Sequence, residues 1–321
     1  EAATIVRKLL PETDVLVENF RSGTMARLGL DYDAVKVLKP DLIYCSITGY
    51  GQTGAKAKEA AYDGAIQASS GMMSQTGHPQ TGPTRTGYMP VDMSTALNTA
   101  FAISSALYRK ERTGKGQYID LAMMDTAVVM QAVQFANWLN QGSLVGLGGN
   151  SSPTRQPTAD VFPTSDGYIQ VTALSQPQVE ILFRELEISG RLDQPEYATT
   201  EARIQNPQPV SEAVSVALCK KTTAEWIQQL ATAGIPVAEV RELPDVSEDP
   251  QFEGRAAFVT LPSPINKGES IRLAQSGFVM NEAGPETTSG PPLLGEHSEE
   301  ILRSIGYDDD KIVSLREAGT I

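Results

Sequence analysis

The sequence predicts an α/β protein of two domains, a larger one built on an open parallel sheet and a smaller α+β one. Three observations predict it. Short β-branched runs alternate with helical spacing over the first fifty residues. A length of 321 residues is enough for two cores. The composition breaks at 141–166, "QGSLVGLGGNSSPTRQPTADVFPTSD", where Gly, Ser, Pro and Thr dominate.

The opening "EAATIVRKLL" has helical spacing, with Ile5, Val6, Leu9 and Leu10 on one face. "DVLVENF" and "DLIYCSITGYG" read as strands bounded by polar or Gly residues. Between them "DYDAVKVLKP" reads as a helix, with Asp31 or Asp33 near its start and Pro40 just past its end. That order places the strands parallel, with helices on the sheet faces. A Gly-rich polar region, 49–90, follows. Helices are expected over 94–110 and about 120–140, split by "RTGKGQ". Residues 1–140 then form the larger domain and 141–159 a linker or long loop.

Beyond the loop, "GYIQVTAL" is a strand, "QPQVEILFRELEI" and "TAEWIQQLATAG" are helices, and "IPVAEVREL" is again strand-like. Residues 160–262 make the smaller domain. The Pro- and Gly-rich segment 263–292 returns the chain. The tail 293–321 holds two short helices packing on the larger domain, the second capped within Asp308 to Asp310. The chain opens at Glu1, without Met and in mid-helix style, as expected of a piece of a longer protein.

Net charge is -13, which argues against nucleic acid and anionic membrane as partners. A local basic patch could still bind an anionic cofactor. Two cysteines, Cys45 and Cys219, make no disulfide framework, so a reducing cytoplasm is the expected location. No apolar run is long enough to span a bilayer. His78 and His297 lie far apart and no cysteines cluster, so no metal site is expected.

"GYGQTG" (49–54) follows a strand but lacks the Gly-Lys-Ser/Thr of a phosphate loop, and reads as a turn. "SITGYG" lacks the Gly-x-Ser-x-Gly elbow of hydrolases. Cys45 sits inside a strand and reads as core. "TGYMPVDMSTALNTAFAISSALY" holds one carboxylate, Asp92, just ahead of a helix with an apolar face. A cap at that helix start is typically worth about 1 kcal/mol. The same geometry favours an ionised carboxylate that can act as a nucleophile or a base. Spacing alone leaves both readings open.

Several stretches, taken together, resemble the class III CoA-transferase (CaiB/BaiF) family. They are "TDVLVENFRSGTMARLGLDYDAVKVLKPDLIYCSITGYGQTG", "YDGAIQASSGMM", "RTGKGQYIDLAMMDTAV", "FPTSDGYIQV", "GIPVAEVRELPDVSEDPQFEGR" and "PPLLGEHSEEILRSIGYDDDKI". They occur in the family's order and run from Asp14 almost to Ile321. The resemblance implies a Rossmann-like sheet in the larger domain and an interlocked homodimer with active sites at domain interfaces. It implies transfer of coenzyme A from an acyl-CoA to a small carboxylic acid, with no metal or nicotinamide. No cofactor would be permanently bound; the coenzyme A thioester is substrate. An Asp attacks the thioester, a mixed anhydride and then an aspartyl-CoA thioester form, and the incoming acid takes the CoA.

The residue matching that nucleophile is Asp92, in "PVDMSTA", with Val91 where the family carries Gly. Asp125, in "MMDTAV", looks embedded in a helix and structural. Related α-methylacyl-CoA racemases, the alternative reading, use a His–Asp pair. Here the His position is Tyr62, thirty residues before Asp92, and a phenol is a poor base at neutral pH.

For coenzyme A, the resemblance implies Asn19, Phe20 and Arg21 of "ENFRSG", Arg27 of "MARLG" at a phosphate-contacting position, and Tyr62. Lys56 and Lys58 precede Tyr62, but the position matching a phosphate-binding Lys is Ala60. The family's first strand–helix units have no counterpart before Glu1, so an inactive fragment is a further alternative. "NSSPTRQP" replaces the glycine run of formyl-CoA transferases, which turns expectation away from oxalate and formate. Oxyanion donors are expected from the Gly-rich loops or the start of the 94–109 helix, and a lid from 142–157. Arg85 and Arg155 are expected as carboxylate partners.

Overall fold

A computed structural model of the chain describes residues 1–266, 268–282 and 284–321; Lys267 and Ala283, both inside the expected return segment 263–292, lie outside the described residues. The chain forms two units, Glu1–Leu147 with Pro292–Ile321, and Gly148–Pro291. The architecture is mixed α/β, with one parallel sheet and further small antiparallel ones.

The first unit starts with α1 (Ala2–Leu9), β1 (Val15–Glu18), α2 (Thr24–Arg27), α3 (Tyr32–Val35) and β2 (Ile43–Thr48). Ile5 and Val6 do not share a destination. Val6 packs on Leu10, Leu30, Val35, Leu42 and Tyr44, whereas Ile5 packs on Leu302, Ile312 and Leu315. Adjacent positions on a helix diverge by about 100°, so α1 serves two clusters. The 31–40 helix is shorter than its pattern, a single turn capped by Asp31, whose carboxylate accepts the Ala34 N–H at 3.2 Å.

Next come α4 (Asp63–Ser69), the two-residue strands β3 (Gly77–His78) and β4 (Gly82–Pro83), α5 (Pro90–Thr113), β5 (Gln117–Ala122), α6 (Met123–Met130) and α7 (Ala132–Gln141). The sheet order is β1-β2-β5, all parallel, with Cys45 paired to Val17 on one side and Ile119 on the other. Central β2 is buried on nearly every residue, as a strand covered on both faces requires. β5 occupies residues expected in or ahead of a helix. Its six-residue register with β2 outweighs the helical periodicity of "IDLAMMD". α5 begins at Pro90 rather than 94, because proline suits the first helical position.

The second unit contains β6 (Ala159–Pro163), β7 (Tyr168–Thr172), α8 (Gln176–Glu185), α9 (Pro195–Ala198), α10 (Thr200–Gln205), α11 (Pro207–Leu218), α12 (Thr223–Thr232), β8 (Val237–Glu239), α13 (Leu243–Ser247), α14 (Pro250–Gly254), β9 (Phe258–Pro262) and β10 (Ser270–Ala274). Antiparallel β6-β7-β8 and its helices enclose Phe162, Val171, Phe183, Val214 and Trp226. Capping boxes at Ser175–Gln178 and Thr222–Glu225 start α8 and α12. The segment 263–292 is more than a linker, since β10 within it pairs with β9. The lid expected at 142–157 is likewise modified: Gln156 and Pro157 are buried, and Thr158 donates to the Ala173 carbonyl at 2.6 Å.

The chain returns to the first unit with α15 (Ser298–Ser304) and α16 (Asp309–Glu317). Asp308 caps α16 by accepting the Lys311 N–H at 2.8 Å.

Candidate active site

The site is organised by a carboxylate that sequence reasoning passed over. Asp63 is the first residue of α4 and only 6% exposed. Its Oδ2 accepts the backbone N–H of Val91 at 2.9 Å and of Asp92 at 3.1 Å. Its Oδ1 accepts from Gln67 one turn along α4. The Gln67 side-chain oxygen, Oε1, accepts both the N–H and the hydroxyl of Thr86 at 3.1 Å. Residues 86–89, the irregular approach to α5, and the first turn of that helix are thereby held from α4.

Val91 explains the departure from Gly at its position. It is fully buried with Ile66 and Ala127, with Met72 and Met123 packed around them. Burial of a Val side chain is worth roughly 1.5–3 kcal/mol and anchors the start of α5. Asp92 therefore stands inside the first turn, as its third residue, with an exposed side chain. Its pKa is raised, first by partial desolvation and then by the negative charge of Asp63. The sequence argument expected the helix N-terminus to favour the ionised form. Asp63 reverses that balance by occupying the N-terminal N–H groups with a like charge.

Opposite stands the loop after β1. Glu18, buried at the end of that strand, accepts the Phe20 N–H at 2.9 Å and the Ser46 hydroxyl. That turn presents Asn19, Phe20 and Arg21 outward, and Phe20 is 53% exposed rather than core. Together with Tyr62, the residue before α4, these three line a cavity of about 520 Å³ that also holds Asp92. Gly49 and Ala61 complete one wall. A side chain at 49 would strike the Ala61 methyl, so only glycine permits this approach. Arg21 also lines a second cavity of about 330 Å³, with Glu18, Tyr32 and Tyr118.

Other expected residues lie elsewhere. Arg27 lines neither cavity; its guanidinium turns back to the Thr24 hydroxyl at 2.9 Å. Asp125 is exposed on α6 and lines neither cavity. Lys56 sits 3.9 Å from Glu59, while Ala60 lines the cavity. Arg85 is exposed and lies over Gly64, where an added Cβ would stand 3.3 Å from its Cδ. Arg155 is exposed in the second unit with φ 58.

The expected oxyanion donors are largely occupied. At the start of α5, Pro90 has no N–H, Val91 and Asp92 give theirs to Asp63, and Met93 gives its own to the Met89 carbonyl at 3.1 Å. In the 49–54 turn, the Gly51 N–H goes to the Thr48 hydroxyl at 2.8 Å and the Gln52 N–H to Asp120 at 3.0 Å. One buried hydroxyl, Thr95 Oγ1, has no partner among the described residues, and Thr95 lines the cavity one turn on from Asp92. Among the described residues no cluster of three His, Cys, Asp or Glu could hold a metal ion, and no helix is long and apolar enough to cross a membrane.

The family model described as CoA-transferase family III matches residues 1–298. A succinate–glutarate CoA-transferase of Agrobacterium fabrum is 33% identical over 305 residues, covering 95% of this chain and 76% of that protein. A succinyl-CoA:glutarate CoA-transferase of Homo sapiens is 32% identical over 323 aligned positions, covering 99% and 72%. The crystal structure of a CaiB/BaiF family protein from Brucella suis superposes with a TM-score of 0.85 at 32% identity, covering 94% of this chain and 78% of that one.

Proposed function

Because the chain belongs to CoA-transferase family III and is a class III CoA-transferase, we propose that Asp92 is the nucleophile that carries the transferred group. The supporting observation is its place: an exposed carboxylate of raised pKa on a cavity that Asn19, Phe20, Arg21 and Tyr62 also line. Higher basicity makes a carboxylate a better nucleophile.

The reaction proceeds in balanced steps. The Asp92 carboxylate adds to the thioester carbonyl and expels the CoA thiolate, leaving a mixed anhydride. The thiolate then attacks the Asp92 carbonyl, releasing the donor acid as its carboxylate and leaving an aspartyl-CoA thioester. The acceptor carboxylate attacks that carbonyl and frees the thiolate again. Attack of the thiolate on the acceptor acyl carbon forms the new acyl-CoA and regenerates Asp92. Both intermediates hydrolyse readily, so the cavity must exclude water while they exist.

Arg21, which lines both cavities, is the cation placed to meet coenzyme A phosphate or a substrate carboxylate. The names of the relatives from Agrobacterium fabrum and Homo sapiens support short dicarboxylic acids as donor and acceptor. We read the parallel β1-β2-β5 sheet as Rossmann-like and the protein as a homodimer. In support, Met93, Leu97 and Phe101 form an apolar stripe on α5 at four-residue spacing, 59%, 71% and 72% exposed.

Incubation with succinyl-CoA followed by mass spectrometry of the digested chain tests the nucleophile. A CoA adduct on the peptide containing Asp92, absent in Asp92→Ala, is expected. Adduct on another residue, or turnover by folded Asp92→Ala, refutes the assignment.

A further inference from the structure

Resting on that reading of Asp92, we propose that Asp63 is a positioning residue of the transfer reaction, fixing the first turn of α5 and setting a like charge against the nucleophile. The geometry differs from an ordinary helix cap. A cap normally comes from the residue just before the helix and serves one or two local N–H groups. Here Met89, at the cap position, contributes no side-chain bond. The acceptor comes instead from another helix, 29 residues back from Asp92, and is buried. Among the described residues the Asp63 carboxylate has three partners, all donors: two backbone N–H groups and the Gln67 amide. Gln67, itself 1% exposed, is fixed by Thr86. A chain of hydrogen bonds thus runs from Thr86 through Gln67 and Asp63 to the backbone of Asp92.

Capping alone does not call for a charge. A neutral asparagine accepts backbone N–H groups about as well, and burying a carboxylate is the costlier choice. The charge has a separate effect. It cancels the positive end of α5, which would otherwise stabilise the Asp92 anion and blunt its reactivity. The titratable groups on the neighbouring elements are Glu59 and Tyr62 ahead of α4, Arg21 after β1 and Arg85 over Gly64, while Asp125, on α6, lines neither cavity. The Asp63 charge adds to burial in raising the pKa of Asp92.

Asp63→Asn and Asp63→Ala in the full chain test this, with succinyl-CoA as probe. The readouts are the rate of adduct formation on the Asp92 peptide as a function of pH, and thermal melting. Asp63→Asn keeps the acceptor and removes the charge, so adduct still forms and the acid limb of its rate moves to lower pH. Asp63→Ala frees the turn, and adduct formation falls by about 10²-fold, the scale of an ångström's misplacement. An Asp63→Asn limb that stays put or moves up, or Asp63→Ala forming adduct at the parent rate, overturns the proposal. If Asp63→Ala fails to fold, the Asp63→Asn limb decides alone, since a purely structural role would not shift it downward. Absence of adduct on the parent chain refutes the Asp92 reading instead.

Discussion

One carboxylate oxygen of Asp63 stands 3.1 Å from the backbone nitrogen of Asp92, so two acidic residues on different helices are joined through a main-chain hydrogen bond. Side chains of like charge would not choose this proximity. The arrangement holds because the backbone donors of Val91 and Asp92 need an acceptor and Asp63 supplies it.

Asp92 therefore weighs against stability at neutral pH. A group whose folded pKa is raised contributes least above that pKa and most below its unfolded value. Asp92→Asn is expected to melt higher than the parent at pH 7. The gap should close as pH falls through the raised Asp92 pKa toward the ordinary carboxylate range. Calorimetric melting of both proteins across that interval is the check, and a gap that widens toward acid has the wrong sign.

Thr95 buries a hydroxyl without a partner among the described residues. Leaving a buried polar atom unmatched costs about 1–3 kcal/mol, so Thr95→Val, nearly isosteric, should stabilise the chain by about 1 kcal/mol. Urea unfolding measures it. A loss of stability would show that the hydroxyl has a partner in solution.

Phe101 ends the apolar stripe on α5 with its ring exposed. In the proposed homodimer, Phe101→Glu places a charge in an apolar contact and should shift the protein toward monomer in sedimentation equilibrium. An unaltered molar mass would remove this face from the interface.

Cys45 is fully buried in β2, and burial raises its thiol pKa to about 11, whereas Cys219 is exposed. A neutral alkylating reagent at pH 7 is expected to label Cys219 in the folded protein and Cys45 only after unfolding. Peptide mapping before and after guanidinium treatment distinguishes the two.

Much of the fold was legible because local pattern and tertiary role agree. "DLIYCSITGYG" is apolar where β2 is covered on both faces, and "TAEWIQQLATAG" carries its capping signal and its apolar stripe together. The 117–122 strand was not legible, since its register comes from pairing with β2, 74 residues earlier. In the site, Asp92, Asn19, Phe20, Arg21 and Tyr62 were reached through motif resemblance, and they line one cavity. Arg27 lines neither cavity, because its side chain turns back onto its own turn. Asp63 was overlooked because nothing local distinguishes it. "YDGAIQASS" falls within the Gly-rich polar region 49–90, and the acceptor role of Asp63 depends on where α5 begins.

The first unit is discontinuous in the chain, whereas Gly148–Pro291 is one unbroken stretch. During synthesis the inserted stretch is made whole before residues 292–321 exist. Ile5 must wait for Leu302, Ile312 and Leu315 to be translated before its side of α1 is covered. The nascent parallel sheet therefore spends the time needed to make some 150 residues, on the order of ten seconds or more, with that helix half dressed. Chaperone capture, if it occurs on this chain, has its natural foothold there.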